Sequence, residues 1–285
     1  SLEVLDLADA DLAPLLADRP VVIHLAAQPG VRGSFGDGFA RYLHDNVRAT
    51  QRLLEAARDA GCRRVVYASS SSVYGDAETY PTVEDATPRR PRSPYGVTKA
   101  TCEDLAAIYA GMGLETVGLR YFTVYGPRQR PEMAIHKFAR LILNGQPVPL
   151  YGDGQTARDY TFIEDILDGI EGALQRTDAP GHRVYNLGGS QVTTLRRLVE
   201  LLEGALGRRA IIDWQPEQPG EHRARQVGEQ VVARGQRRSG EGVVAESLGD
   251  EREEREVGRG PEPVADQRHH QGGDPPSDEA PPLPV

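Results

Sequence analysis

Tyr95 and Lys99 stand four residues apart in the stretch Ser93-Pro94-Tyr95-Gly96-Val97-Thr98-Lys99. On a helix this spacing puts both side chains on one face, one turn from each other. An ammonium then lies where it can stabilise a phenolate. Such a tyrosine is a base for removing the proton of a substrate hydroxyl. A run of hydroxyls, Ser69 to Ser72, stands upstream and could relay that proton. Tyr-x-x-x-Lys alone occurs by chance in many helices, so the argument depends on the elements around it.

Those elements read as alternating strands and helices. Leu2 to Leu7 is short and apolar enough for a strand, with a short helix over Asp9 to Ala17. Val21 to Ala27 is a continuous apolar run ending in small residues, which suits a parallel strand buried on both faces. A Gly-rich loop, Gly30 to Gly38, leads into a helix over Phe39 to Ala60 with an apolar stripe and Gly61 as its stop. Arg64 to Ala68 is the next strand, with the serine run at its C-terminal end. Pro81, Pro88, Pro91 and Pro94 argue against regular structure before the helix that carries Tyr95. Ser93 can cap that helix and Pro94 can occupy its first turn. Glu115 to Tyr121 is a further strand. The repetition predicts βαβ units and a parallel sheet. Three strand ends, His24 to Ala27, the serine run and Arg120 to Pro127, would then meet at the C-terminal edge, where ligands bind in open α/β sheets.

From Met133 the pattern changes to an amphipathic helix, a strand over Val148 to Tyr151, and a strand over Asp159 to Ile163 with its helix. A strand over Arg183 to Gly188, a helix capped by Thr193 or Thr194, and a last strand over Ala210 to Trp214 follow. After Trp214 there is no Phe, Tyr, Trp, Ile or Lys. A segment so polar cannot offset its ordering entropy by burial, so residues 221–285 are expected to be disordered. The implied division is 1–130 for a partial dinucleotide-binding domain and 131–220 for an interleaved substrate domain.

The 285 residues carry a net charge of −9, which gives no reason to expect nucleic acid or an anionic membrane as partner. Two cysteines, Cys62 and Cys102, cannot build a disulfide framework and fit a reducing, cytoplasmic compartment. No apolar run approaches the roughly 20 residues that span a bilayer. His24 reads as a packed strand residue, and His269-His270 is too isolated to suggest a metal site, so no metal is expected.

The motifs HLAAQPGVR, SSSSVYG, SPYGVTK, LRYFTVYGPRQRPEMA and YGDGQTARDYTFIEDI together resemble the extended short-chain dehydrogenase/reductase superfamily, in particular its NAD-dependent nucleotide-sugar epimerases and dehydratases. The resemblance runs from about Leu2 to Trp214. It implies an α/β fold, a Rossmann-like doubly wound parallel sheet with a smaller α+β substrate domain. It implies NAD as cofactor, a UDP-sugar as substrate, and a homodimer formed through the helices near 39–60 and 95–110. It also implies roles: Ser70, Tyr95 and Lys99 as the catalytic residues, Asp6 and Leu7 beside the adenine, and Leu25, Ala26, Ala27, Asn46, Ser69 and Phe122 along the cofactor. Ser71, Ser72, Thr123, Tyr151 and Arg158 would contact the substrate, with Arg130 on a loop facing the sugar.

In that chemistry Tyr95 takes the proton of the sugar 4-hydroxyl while hydride leaves C4. A phenol near pKa 10 lies about three units too high at neutral pH, a cost of roughly 4 kcal/mol that Lys99 and the nicotinamide cation can offset. Dehydratases of the family place Asp-Glu directly after the catalytic hydroxyl, and decarboxylases a glutamate two residues after it. Here those positions are Ser71 and Ser72, which predicts epimerisation only. Ser70 to Ser72 with Thr123 and Arg130 could hold a carboxylate, which favours UDP-glucuronate over UDP-glucose. A dinucleotide fold also needs a first strand and a Gly-x-x-Gly-x-x-Gly turn. None precedes His24, so the expectation is an N-terminally truncated chain whose sheet lacks its first βαβ unit, either an active enzyme's descendant or a non-catalytic remnant. A reading-frame change near Gly220 is one account of the polar tail and a natural tail the other.

Overall fold

The computed structural model describes residues 2–77, 82–175, 180–189 and 192–216; the expected tail over 221–285 lies outside them. Strand β2 (Arg64–Ser70) lies between β1 (Val21–His24) and β3 (Glu115–Tyr121), and β7 (His182–Leu187) closes the other edge, so the order is β1-β2-β3-β7. All three pairings are parallel. Alternation along β2 decides what each face packs. Val65 and Tyr67 point into one cluster with Leu53, Leu54 and Ala57 of helix α3 (Ala49–Asp59) and Ala106 and Tyr109 of helix α4 (Pro94–Gly111). Val66 points the other way, with Val117, Leu119 and helix α6 (Ile163–Gln175). A sheet with helices on both faces is the doubly wound arrangement the motifs predict.

A third cluster lies elsewhere. It joins helix α5 (Ala134–Leu143) and helix α7 (Leu195–Leu206) through Phe138, Ile142, Leu198 and Leu202 to Val148 and Leu150 of β5 (Pro147–Tyr151). β5 pairs in parallel with β9 (Ile211–Gln215), while β4 (Thr123–Tyr125), β6 (Ala157–Phe162) and β8 (Val192–Thr194) form a three-stranded sheet. The chain interleaves: α6 and β7, late in sequence, belong to the first sheet.

Three local expectations are corrected. Leu2 to Leu7 forms no strand; no neighbouring strand among the described residues offers a ladder, and Leu2 and Val4 are over 90% exposed. The helix expected over Asp9 to Ala17 shrinks to α1 (Ala13–Leu16), preceded by a turn in which Asp6 accepts from the Ala8 N–H. β1 ends at His24, where its ladder with β2 ends, and Leu25 to Ala27 continue as irregular chain. The helix after the Gly-rich loop holds, as α2 (Phe39–Tyr42), a π-helical turn (Leu43–Arg48) and α3.

Candidate active site

Helix α4 brings the tyrosine and lysine to the edge of the sheet. Ser93 caps it, its Oγ accepting from the Gly96 N–H at 3.1 Å, and Pro94 occupies the first turn. Lys99 is 5% exposed, and its Nζ donates to the Ala68 carbonyl of β2 at 2.8 Å. Among the described residues no carboxylate pairs with it. Burial lowers its pKa, because the low-dielectric surroundings disfavour the charge.

The serine run forms the end of β2 and a 3₁₀ turn, Ser71–Tyr74. Ser70 Oγ accepts from the Ser72 N–H at 3.1 Å, which caps that turn and leaves the hydroxyl hydrogen to donate elsewhere. Two glycines let the segments approach. A Cβ at Gly96 would lie 2.7 Å from the Ser72 carbonyl oxygen and 2.9 Å from Pro91 Cβ. Gly75 adopts φ +62°, and a Cβ there would lie 1.9 Å from the Arg90 carbonyl oxygen. On the other side the Tyr42 ring meets the Tyr95 ring edge-on at 6.1 Å, and its hydroxyl reaches the carbonyls of Pro29 and Gly30, tying the Gly-rich loop to the site.

The residues expected along a cofactor divide into three groups. Leu25 and Ala26 are exposed at the C-terminal end of β1, with Ala27 half-buried and Phe122 half-buried beyond β3. Asn46 is wholly buried, so it does not line the groove: its Oδ1 accepts from the Gln28 N–H at 2.7 Å while its Nδ2 donates to Thr98 Oγ1 at 3.1 Å. It acts by holding the loop after β1 to α4, from within the π-helical turn. Ser69 turns its hydroxyl to Glu103 at 2.5 Å. Asp6 stands in an exposed group with Asp9 and His44, beside half-buried Leu7.

Of the expected substrate residues, Ser71 and Ser72 are buried within the turn, and Thr123, Tyr151 and Arg158 are half-buried on β4, β5 and β6. Arg130 is exposed and pairs with Glu132 at 3.0 Å. Both side chains are at least half exposed, and an exposed pair of this kind is worth little, so the guanidinium can exchange that partner for another carboxylate.

His24 is packed in β1 as expected, whereas sequence reasoning misses the polar contact it makes and a buried ion pair behind the serine run. His24 Nε2 shares a hydrogen bond with Thr50 Oγ1 at 3.0 Å, and burial, with the nearby Lys99 charge, lowers its pKa to about 4. Glu103 and Arg120 form a buried ion pair at 2.7 Å behind the serine run. Burial opposes both charges, but their mutual hydrogen bonds outweigh it, lowering the Glu103 pKa and raising that of Arg120. The available signal is a charged residue inside an apolar strand, Leu119-Arg120-Tyr121.

Residues 1–188 match the family described as "NAD dependent epimerase/dehydratase family". The chain is 44% identical over 217 residues to an uncharacterized UDP-glucose epimerase, YtcB, of Bacillus subtilis (strain 168), covering 76% of this chain and 68% of that protein. It is 39% identical over 210 residues to a dTDP-glucose 4,6-dehydratase of Streptomyces griseus, covering 73% and 62%. In structure it is similar to the UDP-glucuronic acid 4-epimerase of Bacillus cereus in complex with UDP-glucuronic acid and NAD. There the TM-score is 0.81 with 35% identity, covering 87% of this chain and 80% of that one.

Proposed function

This chain belongs to the NAD dependent epimerase/dehydratase family, and we propose that it is a nucleotide-sugar 4-epimerase acting on UDP-glucuronate. The observation that carries the reading is the packing of the serine turn against Gly96, beside Tyr95 and one turn from Lys99. That packing brings hydroxyls, a phenol and a buried ammonium with no carboxylate partner among the described residues to one sheet edge.

The residues present fit NAD. Lys99 has three N–H groups and, among the described residues, one acceptor, so two donors remain for ribose hydroxyls. Leu25 and Ala26 are exposed, and Ala26 and Ala27 are small, where a dinucleotide would lie along the strand end. When bound, NAD supplies the acceptor and donor of hydride at sugar C4. Tyr95 removes the proton of the 4-hydroxyl and returns it after the sugar has turned its other face. Ser70, whose hydroxyl hydrogen is uncommitted to the turn, donates to the sugar oxygen and passes the proton on. Lys99 lowers the cost of the phenolate.

Ser71 and Ser72 favour epimerisation over the dehydratase chemistry of the Streptomyces griseus relative, because neither can serve as a carboxyl acid or base. Ser70 to Ser72, Thr123 and Arg130 are the residues proposed to hold the uronate carboxylate. Tyr151 and Arg158 are proposed to contact the nucleotide, and Asp6 and Leu7 the adenine. Val97 and Ile108 on the outer face of α4 and Met112 at its C-cap, each 46–57% exposed, support a homodimer through that helix; sedimentation of the same preparation as a monomer would refute it.

The test incubates the protein and NAD with UDP-glucuronate and UDP-glucose and follows products by proton NMR. Interconversion with UDP-galacturonate, lost in Tyr95→Phe, is expected. A 4-keto-6-deoxy sugar, released CO2, or faster turnover of UDP-glucose would overturn the reading.

A further inference from the structure

We infer that Glu103 and Arg120 are positioning residues, one buried ion pair that holds the serine turn, and with it Ser70, at its working distance from Tyr95. The inference rests on the reading of Ser70 and Tyr95 as the proton-transfer pair.

The turn is pinned at both ends by the same network. Just before its start, at the end of β2, Ser69 donates to Glu103 Oε1 at 2.5 Å. At its end, the Tyr74 hydroxyl accepts from Arg120 Nη1 and donates to Asn186 Oδ1, both at 2.7 Å. Between these ends Arg120 grips Glu103 bidentately, Nε to Oε1 at 2.8 Å and Nη2 to Oε2 at 2.7 Å. Asn186 passes the restraint on, its Nδ2 donating to the Thr82 carbonyl at 3.1 Å and its N–H donating to Glu84 at 2.7 Å. Ser69, Tyr74, Glu103, Arg120 and Asn186 are all at most 4% exposed.

Placement and energetics both point to geometry as the product. Glu103 follows Lys99 by one turn on α4, the helix that also carries Tyr95, so the clamp and the base belong to one rigid element. A buried ion pair adds little net stability over an apolar pair of equal volume, because desolvation cancels most of its attraction. What a fully bonded network does supply is a single arrangement of the segments it joins. Here those segments are the ends of β2, β3 and β7, the serine turn and α4.

Ser69→Ala and Tyr74→Phe each release one end of the turn without cutting the ion pair or opening a cavity. The readouts are kcat and KM for UDP-glucuronate, bound NAD, and amide hydrogen exchange over residues 70–74. In each variant kcat is expected to fall about tenfold, as misplacement of a reacting group by a fraction of an ångström would cause, with KM within twofold and NAD content unchanged. Exchange over 70–74 should quicken, and Ser69→Thr, which keeps the hydroxyl, should recover wild-type kcat. A lowered melting temperature with unchanged kcat and unchanged exchange overturns the inference, since a purely structural pair would behave so. If the wild-type protein itself turns over no nucleotide sugar, and Tyr95→Phe matches it, the reading beneath has failed instead.

Discussion

Gly96→Ala tests the packing on which the proposed proton relay depends. The new methyl group would lie 2.7 Å from the Ser72 carbonyl oxygen and 2.9 Å from Pro91 Cβ, with Ser93 Oγ at 3.3 Å. Ordinary contact between such atoms needs about 3.3 Å or more, so the serine turn or the first turn of α4 must yield by roughly 0.5 Å. The nearest obstacle is backbone, which cannot swing aside as a side-chain tip would. Two energies compete. Alanine improves helix propensity over glycine by up to about 1 kcal/mol, whereas overpacking costs typically about 1–3 kcal/mol. The net expectation is a stability loss of about 0–3 kcal/mol. Catalysis should suffer more, because Ser70 moves with the turn: about tenfold in kcat, given that 1 Å of misplacement can cost about a hundredfold. Thermal melting and initial-rate kinetics on the same samples separate the two effects. A variant that melts higher than wild type with undiminished kcat would refute the argument that this approach positions the relay.

Two further predictions concern stability. His24 has its pKa lowered from 6.5 to about 4 by burial and the nearby Lys99 charge, so between those values the unfolded chain binds the extra proton. The stabilisation from keeping it neutral is full above pH 6.5 and is lost as pH falls toward 4, roughly 3 kcal/mol over that window. His24→Gln, measured by urea unfolding from pH 7 to 4, should lose less stability on acidification than wild type; parallel curves would contradict this. Arg64 is buried, pairs with Glu115 at 2.7 Å, and donates to the Ala173 and Leu174 carbonyls near the end of α6. Arg64→Met strands those acceptors and should cost about 2–4 kcal/mol in urea unfolding, near the values for breaking buried pairs. It should leave kcat within twofold below the melting transition, since Arg64 begins β2 and the site lies at its other end. A loss of kcat matching that of Gly96→Ala would show that the two ends of the sheet are coupled.

The parts of this site legible in the sequence are those governed by local period. Tyr95 and Lys99 share a helix face because 3.6 residues make a turn, and Ser93-Pro94 announces where that helix begins. The strand ends are legible because a parallel sheet gathers them along one edge. Contacts between elements are not. Nothing in the spacing of Glu103 and Arg120 says that α4 lies across β2 and β3 at the register that joins them. Asn46 reads as one more helix residue until Gln28 and Thr98 are brought to it across the fold. Leu2 to Leu7 fails in the opposite sense: apolar composition suggests a strand, but a strand exists only where a second one offers hydrogen bonds. Strand β8, three residues long, is too short to show any period.

The helix that carries the proposed base also carries an acid, and the fold keeps that acid from pairing with Lys99. Lys99 and Glu103 stand at i and i+4, the spacing at which oppositely charged side chains on a helix meet. A pair formed there would neutralise the ammonium proposed to stabilise the Tyr95 phenolate. The structure turns Glu103 away instead and saturates it: Oε1 accepts from Ser69 and Arg120, and Oε2 from Arg120 and, at 3.3 Å, Arg89. A carboxylate has about four acceptor sites, so these donors leave no site for Lys99. The ammonium is held by the neutral Ala68 carbonyl, which orients it without cancelling it. Arg120 therefore has two consequences from one set of bonds. It fixes the turn that bears Ser70, and it removes the only carboxylate that α4 places within one turn of Lys99.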